Sequence, residues 1–391
     1  MRKGWEIQKL EDCFKLKSGD GLTSKMMSEE GSYPVFGGNG IAGLHNNFNL
    51  SGSNIIIGRV GALCGNVRLI NEKIWLTDNA FKIVDFKYEF DHSFLTYLLN
   101  FKNLREYARQ AAQPVISNSS LKDVVLEFPK SISEQRHIVS ILDEAFAAIA
   151  KAKANTEKNL QNAKELFESY LQNVFANPSE DWEERTLKEI TTKIGSGSTP
   201  RGGNESYKTE GTSLVRSMNV HDFEFRDRNL AFIDDKQAKE LNGVTLQEND
   251  VLLNITGASV ARCCVMPKEY LPARVNQHVS IIRAKPDVID PFLLNLILTS
   301  KFYKGQLLFT GEQGATRQAI TKAQLEVFKV TFPKLLKAQQ TIVKKLNALS
   351  TETKKLETIY EQKLSDLEEL KKSILQKAFR GELKTEKELA I

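Results

Sequence analysis

The chain has 391 residues, and 54 lysines and arginines against 49 aspartates and glutamates give it a net charge of +5 at neutral pH. This mildly basic balance excludes an acidic tail protein and a histone-like polycation, and it permits contact with nucleic acid. Hydrophobic residues at 41% and charged residues at 26% are typical of globular proteins, and the length predicts two domains.

The cysteines and the amino terminus argue against several protein classes. Cys13, Cys64, Cys263 and Cys264 show no C-x-x-C spacing, so we predict buried free thiols, with neither a zinc site nor a disulfide framework. The first residues lack the apolar core of a signal peptide, and no apolar run approaches 18 residues. We therefore expect a cytoplasmic protein with no membrane association and no bound metal.

The second half of the chain repeats the first, motif by motif and in the same order. The matches pair residues 5–6 with 182–183, 54–57 with 250–253, 94–95 with 292–293, 128–130 with 332–334, and 135–142 with 339–346. The offset rises from 177 through 196 and 198 to 204, and the largest insertion falls around residues 201–230. Because insertions belong in loops, we infer a duplicated unit with an internal pseudo-twofold repeat.

Each copy ends in a long stretch without glycine or proline, at residues 134–176 and 334–380. Ser131 and Glu134 form a predicted capping box before the first stretch, and Gly381 suits the end of the second. A helix over the first stretch would span about 65 Å.

Apolar residues recur in both stretches at the 3.5-residue period of a coiled coil, and both contain the same extra four-residue step. Each stretch is therefore the natural partner of the other, and we predict an antiparallel pair with the two globular units at opposite ends of a rod. The predicted seam consists of Ile138, Leu142, Ile149, Leu160, Phe167, Tyr170, Ile342, Leu346, Leu349, Leu356, Tyr360, Leu364, Leu367 and Ile374.

The segments before the long helices, residues 1–130 and 178–333, mix short β runs with turns rich in glycine, asparagine and serine, plus one helix near each end. The alternation of strand and helix that marks a doubly wound sheet is missing. We therefore predict the α+β class, with two mixed α/β domains separated by two long antiparallel coiled-coil helices. The predicted boundaries are 1–132, 133–177, 178–335 and 336–391.

No catalytic constellation emerges from the sequence. Residues 38–43 match G-x-G-x-x-G, but a poor helix start follows, so we interpret them as a surface turn and not as a dinucleotide loop. The P-loop and the tetrapeptide of amino-methyltransferases are absent, and the five histidines lack a nucleophile at a recognisable spacing.

Several loops instead combine basic with amide or hydroxyl side chains, the types that contact phosphates and base edges. These candidates for DNA binding are Gly38, Asn39, Gly40, Arg59, Asn79, Gln113 and Ser117 in the first unit, and Ser198, Thr199, Arg201, Arg216, Asn219, Thr316, Arg317 and Gln318 in the second. Two similar but unequal units in one chain suit an asymmetric, split DNA site.

Longer motifs add a resemblance to a known family. Residues 33–40 (YPVFGGNG), 195–200 (GSGSTP), 252–259 (LLNITGAS) and 275–278 (VNQH) resemble the specificity subunit of type I restriction-modification systems, as does Phe128-Pro129 followed by Glu134-Gln135. The resemblance covers essentially the whole chain. Asn276 and Gln277 join the DNA-binding candidates through these motifs, and Arg262 is a further candidate.

The resemblance implies two target recognition domains, at 1–132 and 178–335, and two spacer helices, at 133–177 and 336–391. The expected partners are double-stranded DNA, two methyltransferase subunits and motor-nuclease subunits. S-adenosylmethionine, ATP and magnesium would be bound by those partners, and this chain would hold no cofactor and catalyse no reaction.

The sequence departs from the family pattern at two places. Ala338 stands where the first copy has Glu134, which predicts a less well capped helix start, and Ala261 stands where we expect glycine, which puts the local backbone shape in doubt. Two alternatives stay open at this point: a coiled-coil adaptor with two protein-binding domains, and an enzyme with an unrecognised nuclease or methyltransferase site.

Overall fold

A computed structural model describes residues 4–109, 114–312 and 319–383, apart from the side chain of Asn204. Its helices are α1 (Leu10–Cys13), α2 (His92–Phe101), α3 (Asn118–Leu121), α4 (Ile132–Ala176), α5 (Leu187–Ile190), α6 (Asp235–Glu240), α7 (Pro291–Thr299), α8 (Lys301–Glu312), α9 (Lys322–Val327) and α10 (Leu336–Phe379). None of the helices in this part of the chain is long and apolar enough to cross a bilayer.

The first ten of the strands in chain order are β1 (Trp5–Lys9), β2 (Lys15–Ser18), β3 (Tyr33–Gly37), β4 (Gly40–His45), β5 (Asn54–Gly58), β6 (Val67–Ile70), β7 (Trp75–Leu76), β8 (Ala80–Val84), β9 (Val125–Pro129) and β10 (Trp182–Thr186). The next ten are β11 (Thr191–Ser196), β12 (Thr212–Val215), β13 (Val220–His221), β14 (Glu224–Phe225), β15 (Ala231–Ile233), β16 (Val251–Asn254), β17 (Cys263–Val265), β18 (Ala273–Val275), β19 (Val279–Ala284) and β20 (Lys329–Pro333).

The chain divides into two compact units, and each combines strands with segments of both long helices. Unit 1 contains residues 1–156 and 362–391, and unit 2 contains residues 157–361. The carboxyl-terminal part of α10 thus belongs with the first globular segment, although more than 200 residues separate them in sequence.

The two units have the same sheet topology, which confirms the duplication and the α+β class. The ribbon β1–β9 corresponds to β10–β20, and the four-stranded sheet β2-β8-β5-β6 corresponds to β11-β19-β16-β17. A three-stranded sheet follows the order β4-β3-β7 in unit 1 and β15-β12-β18 in unit 2, with one parallel pair in each. The hairpin β13–β14 lies in the connection between β12 and β15, inside the predicted insertion at 201–230.

Helices α2 and α7 correspond at an offset of 199, so the predicted offset of 198 is wrong by one residue. Asp91 and Asp290 cap the two helices, accepting hydrogen bonds from the backbone amides of Phe94 and Leu293. Phe94 is fully buried, whereas Phe292, its predicted counterpart, is 43% exposed. The two Phe-Leu pairs match in sequence but not in structure, because the position of the capping aspartate determines which residues of each helix are buried.

A buried glutamine joins each long helix to its globular segment. Gln135 accepts a hydrogen bond from the amide of Asp91 (2.8 Å) and donates to the carbonyl oxygens of Glu89 and Pro129. Its counterpart Gln339 bonds the equivalent groups of Asp290, Val288 and Pro333 at 2.8, 3.0 and 2.8 Å. Both glutamine side chains are completely buried, and each supplies partners for three backbone groups, of which the prolyl carbonyl lies in a fully buried bond.

The two long helices run antiparallel within each unit, as predicted. Lys153 pairs with Glu368 in unit 1, and Lys164 lies 4.0 Å from Glu361 in unit 2. Phe379, at the end of α10, lies in the core of unit 1, where its ring is 5.7 Å from that of Phe94. The equivalent Phe175, at the end of α4, lies in the core of unit 2.

Most of the seam residues are buried or half-buried, but two are not. Tyr170 is 40% exposed and Leu356 is 38% exposed, so their assignment to the seam is wrong. Leu171, adjacent to Tyr170, is 4% exposed and takes the interior position instead. The buried positions shift along the helices because an α-helix with 3.6 residues per turn does not keep a strict seven-residue repeat over this length. The ends of the helices also pack against the globular cores as well as against each other.

Candidate nucleic-acid interface

The described candidate residues of unit 1 converge where four loops meet beside the edge of its sheets. The turn at 38–40 packs on the loop that follows β5, because the Asn39 side chain accepts a hydrogen bond from the Leu63 amide at 2.9 Å. The amide of Arg59 bonds the carbonyl of Asn79, and the carbonyl of Arg59 accepts from Ile116, next to Ser117. We call this group of loops, residues 38–40, 59–65, 77–79 and 114–117, the unit 1 loop cluster.

Glycines make this close packing possible. A Cβ at Gly38 would overlap the carbonyl oxygen of Val60, and a Cβ at Gly61 would overlap the side chain of Asn39. Gly61 also has a φ of +88°, which side chains with a Cβ rarely adopt. The glycine-rich motif therefore holds two loops together, and the prediction of a surface turn agrees with the β3–β4 hairpin in which it lies.

Arg59 has a structural as well as an electrostatic role. Its guanidinium donates to Ser18 Oγ (2.9 Å) and to the carbonyl oxygen of Asp78 (2.8 Å), and it lies 4.6 Å from the centre of the Phe81 ring. These contacts fix the side chain at the edge of the loop cluster. A phosphate contact from Arg59 would thus use an already ordered cation, with little further loss of side-chain entropy.

Three further arginines reach the unit 1 loop cluster, and the sequence analysis missed them. Arg68 lies against Gly40, Arg105 donates to the carbonyl oxygen of Ala62 at 2.6 Å, and Arg109 bonds Val115 through the backbone. They come from β6 and from the segment after α2, so no local pattern joins Arg68 to the other two. Arginine forms ion pairs in the described part of the chain only at Arg136, Arg185, Arg226 and Arg283.

Unit 2 builds the same loop cluster with the same backbone bonds. Ile255 donates to the carbonyl of His278 and accepts from Ile320, as Arg59 does with Asn79 and Ile116. Thr256 forms a bridge to Ala319, as Val60 does to Val115. We call residues 196–199, 216–219, 255–262, 276–278 and 319–321 the unit 2 loop cluster.

The two clusters share a scaffold and differ in the side chains that they display. Ser117 caps α3, and Thr321 caps α9 in the same way, each with a capping box. Gly65, with a φ of +84°, corresponds to Ala261, with a φ of +65°. The doubt about the backbone at Ala261 is thereby settled, because the alanine keeps the left-handed conformation at some cost in strain.

One of the predicted DNA contacts is wrong because its side chain is used inside the protein, and a second candidate is largely buried. Asn219 is fully buried and bonds the backbone of Arg216 and Arg226, which closes the loop between β12 and β15. Asn276 is 4% exposed and accepts from the amide of His278. Both asparagines shape the unit 2 loop cluster, and Asn219 uses its whole amide for bonds to the backbone.

The remaining candidates of unit 2 lie at or near the surface of its cluster. Thr199 donates to the side chain of Gln277, which is exposed, and Ser198 and Arg201 are exposed beside them. Arg262 is half-buried, and Arg216 donates to the carbonyl oxygen of Asn229 at 2.6 Å. Four further candidates lie outside the described residues: Gln113, Thr316, Arg317 and Gln318.

The potential metal ligands of the described residues lie apart, and the thiols are buried. No three histidine, cysteine, aspartate or glutamate side chains within them are grouped to hold a metal ion. All four cysteines are buried free thiols, and burial raises the pKa of Cys13 and of Cys264 to about 12, which keeps both thiols protonated and unreactive.

Comparisons with known proteins agree with this architecture. The family model for the type I restriction modification DNA specificity domain matches residues 2–160 and 179–365. The chain therefore belongs to this family and carries its domain twice, once in each half.

Individual relatives are distant. The chain is 29% identical over 167 residues to the type I restriction enzyme EcoprrI specificity subunit of Escherichia coli, an alignment that covers 40% of this chain and 41% of that protein. It is 24% identical over 292 residues to the EcoBI specificity subunit of the same species, covering 68% of this chain and 60% of that one. The chain thus spans about half the length of these curated relatives.

Two solved structures share the fold along nearly the whole chain. The HsdS subunit from Thermoanaerobacter tengcongensis matches with a TM-score of 0.63 and 17% identity, covering 98% of both chains. A chain from a structure on complex assembly and conformational transition of the type I R-M system matches with a TM-score of 0.73 and 17% identity, covering 98% of this chain and 99% of that one.

Proposed function

We propose that this chain is the DNA-specificity subunit of a type I restriction-modification complex. Each unit reads one half of an asymmetric, bipartite DNA sequence through its loop cluster. The long helices set the distance between the half-sites and provide the docking surface for two methyltransferase subunits, to which motor-nuclease subunits are added.

One observation carries this proposal: the same loop scaffold is built twice and displays different side chains. A duplicated enzyme site would keep its reacting groups, whereas a duplicated reader must vary them to read two sequences. Arg59 in unit 1 corresponds to Ile255 in unit 2, and Asn79 corresponds to His278, while the backbone bonds between them are conserved. Arginines without ion pairs supply the phosphate contacts that position a duplex.

The chemistry belongs to the partners in this proposal. S-adenosylmethionine, ATP and magnesium are bound by the methyltransferase and motor-nuclease subunits, and this chain is non-catalytic and acts in the cytoplasm. Its small net charge of +5 fits a protein that binds DNA weakly by itself and tightly within a larger complex.

The test is co-expression with candidate methyltransferase subunits, followed by genome-wide mapping of methylated adenine. The proposal predicts a bipartite motif that depends on this chain. Variation of unit 1 loop residues should alter one half of the motif, and variation of unit 2 loop residues should alter the other. A complex without any motif would favour a protein adaptor, and turnover by the isolated chain would reveal an enzyme; either result would overturn the proposal.

A further inference from the structure

The unit 1 loop cluster exposes an apolar side chain among its arginines. Leu63 is 39% exposed at the tip of the loop that follows β5. Arg105 donates to the neighbouring carbonyl oxygen of Ala62, and Arg68 lies against Gly40 in the adjoining turn. An isolated exposed leucine is ordinary, but this one lies beside arginines that form no ion pair among the described residues, so it shares their surface.

The backbone of Leu63 is held in place from both sides. Its amide donates to the Asn39 side chain, which itself packs against Gly61. The amide of Cys64 bonds the carbonyl of Gly61, and Asn66 donates to the carbonyl of Leu63. The loop is therefore a tight turn, and the leucine projects from a fixed point instead of folding back into the core.

The second copy has different chemistry at the same place. Gly61 and Gly257 both have positive φ, and each accepts a bond from the amide three residues later, so Leu63 corresponds to Ser259. Ser259 accepts a hydrogen bond from the buried Asn254 and is polar. The duplicated scaffold has thus kept the turn and changed the side chain at its tip, which is the pattern expected of a residue that sets specificity.

Taking the proposed function as its basis, we infer that Leu63 reads the C5 methyl group of a thymine in the half-site of unit 1. Among base edges in the major groove, only thymine presents an apolar group, and aliphatic side chains contact it. The surrounding arginines would hold the phosphates and keep the leucine at the groove floor. Uracil and cytosine lack this methyl group and would leave the leucine facing a gap or a polar edge.

The experiment uses the assembled complex and the motif that its methylation map defines. Duplexes are made in which each thymine of the target is replaced singly by deoxyuridine, and their affinities are measured. The affinity of the wild-type complex should fall about fourfold when deoxyuridine replaces thymine at one position of the unit 1 half-site. This is the equivalent of about 0.8 kcal/mol for one buried methyl group. Leu63→Ala should lose this sensitivity, and its methylation map should relax at that position alone.

Leu44 supplies the matched control. It is 36% exposed in the same unit, on β4 and outside the loop cluster, so Leu44→Ala should keep the wild-type sensitivity to deoxyuridine. Thermal unfolding of both variants checks that the loop change leaves the fold intact.

A motif that is insensitive to deoxyuridine throughout the unit 1 half-site would overturn this inference and leave the proposed function standing. The same holds if Leu63→Ala keeps the wild-type sensitivity. The absence of any motif for the wild-type complex would overturn both.

Discussion

The buried glutamine at the start of each long helix allows a quantitative test of how helix and globular segment are joined. In Gln339→Ala, the amide of Asp290 and the carbonyls of Val288 and Pro333 lose the partner that a completely buried side chain supplies. Each unpaired buried group costs about 1–3 kcal/mol, and water entering the new cavity restores part of this. We expect the free energy of unfolding of unit 2 to fall by about 3–5 kcal/mol.

Native-state hydrogen exchange measures this loss and locates it. The amides of unit 2 should exchange faster by at least a hundredfold in Gln339→Ala, since each 1.4 kcal/mol is about a factor of ten. Gln135→Ala should produce the same effect in unit 1. Gln340→Ala, at the exposed neighbouring position, is the matched control and should change stability by less than about 0.5 kcal/mol.

A loss below about 1 kcal/mol in both buried glutamine variants would refute this reasoning. It would mean that the backbone groups find other partners, and that the glutamines do not join the helices to the sheets. A loss as large in Gln340→Ala would instead show that any change at the helix start is harmful.

Four further predictions concern the helices, the pH dependence and the DNA contacts. Phe379 is the last residue of α10, yet it lies in the core of unit 1, so Phe379→Ala should leave a cavity and destabilise unit 1 by about 3–5 kcal/mol. Faster hydrogen exchange of the unit 1 amides would measure this loss. Burial and the hydrogen bond to Asp143 raise the pKa of Tyr97 to about 12. Because the raised pKa favours the neutral phenol in the folded state, the contribution of Tyr97 to the free energy of unfolding is complete below pH 10 and is lost as the pH rises to about 12. Urea titrations of Tyr97→Phe over this pH range should lack this loss of stability. In the assembled complex, Arg105→Ala should reduce the slope of log affinity against log salt by about 0.9, whereas Arg136→Ala, which removes an arginine paired with a carboxylate, should leave it unchanged. Insertion of one heptad in both long helices should lengthen the gap between half-sites in the methylation map and leave the half-sites unaltered, and a change in the half-sites would contradict the spacer role.

Local patterns along the chain were sufficient to predict the long helices and the duplication. Absence of glycine and proline, caps and a 3.5-residue period were enough to predict both long helices and their antiparallel pairing. Ordered short matches were enough to predict the duplication. These signals are reliable because a helix or a turn depends mainly on neighbouring residues, and because a repeated fold must repeat its buried positions.

Which polar side chains are free and which form bonds inside the protein follows only from the folded chain. Asn219 and Asn276 look like base-reading residues in the sequence, yet both are buried and close loops. Arg68 lies on β6, whereas Arg105 and Arg109 lie after α2, and only the folded chain brings these two segments to one loop cluster. Whether a polar residue is free depends on contacts between segments distant in sequence, and no local pattern records those contacts.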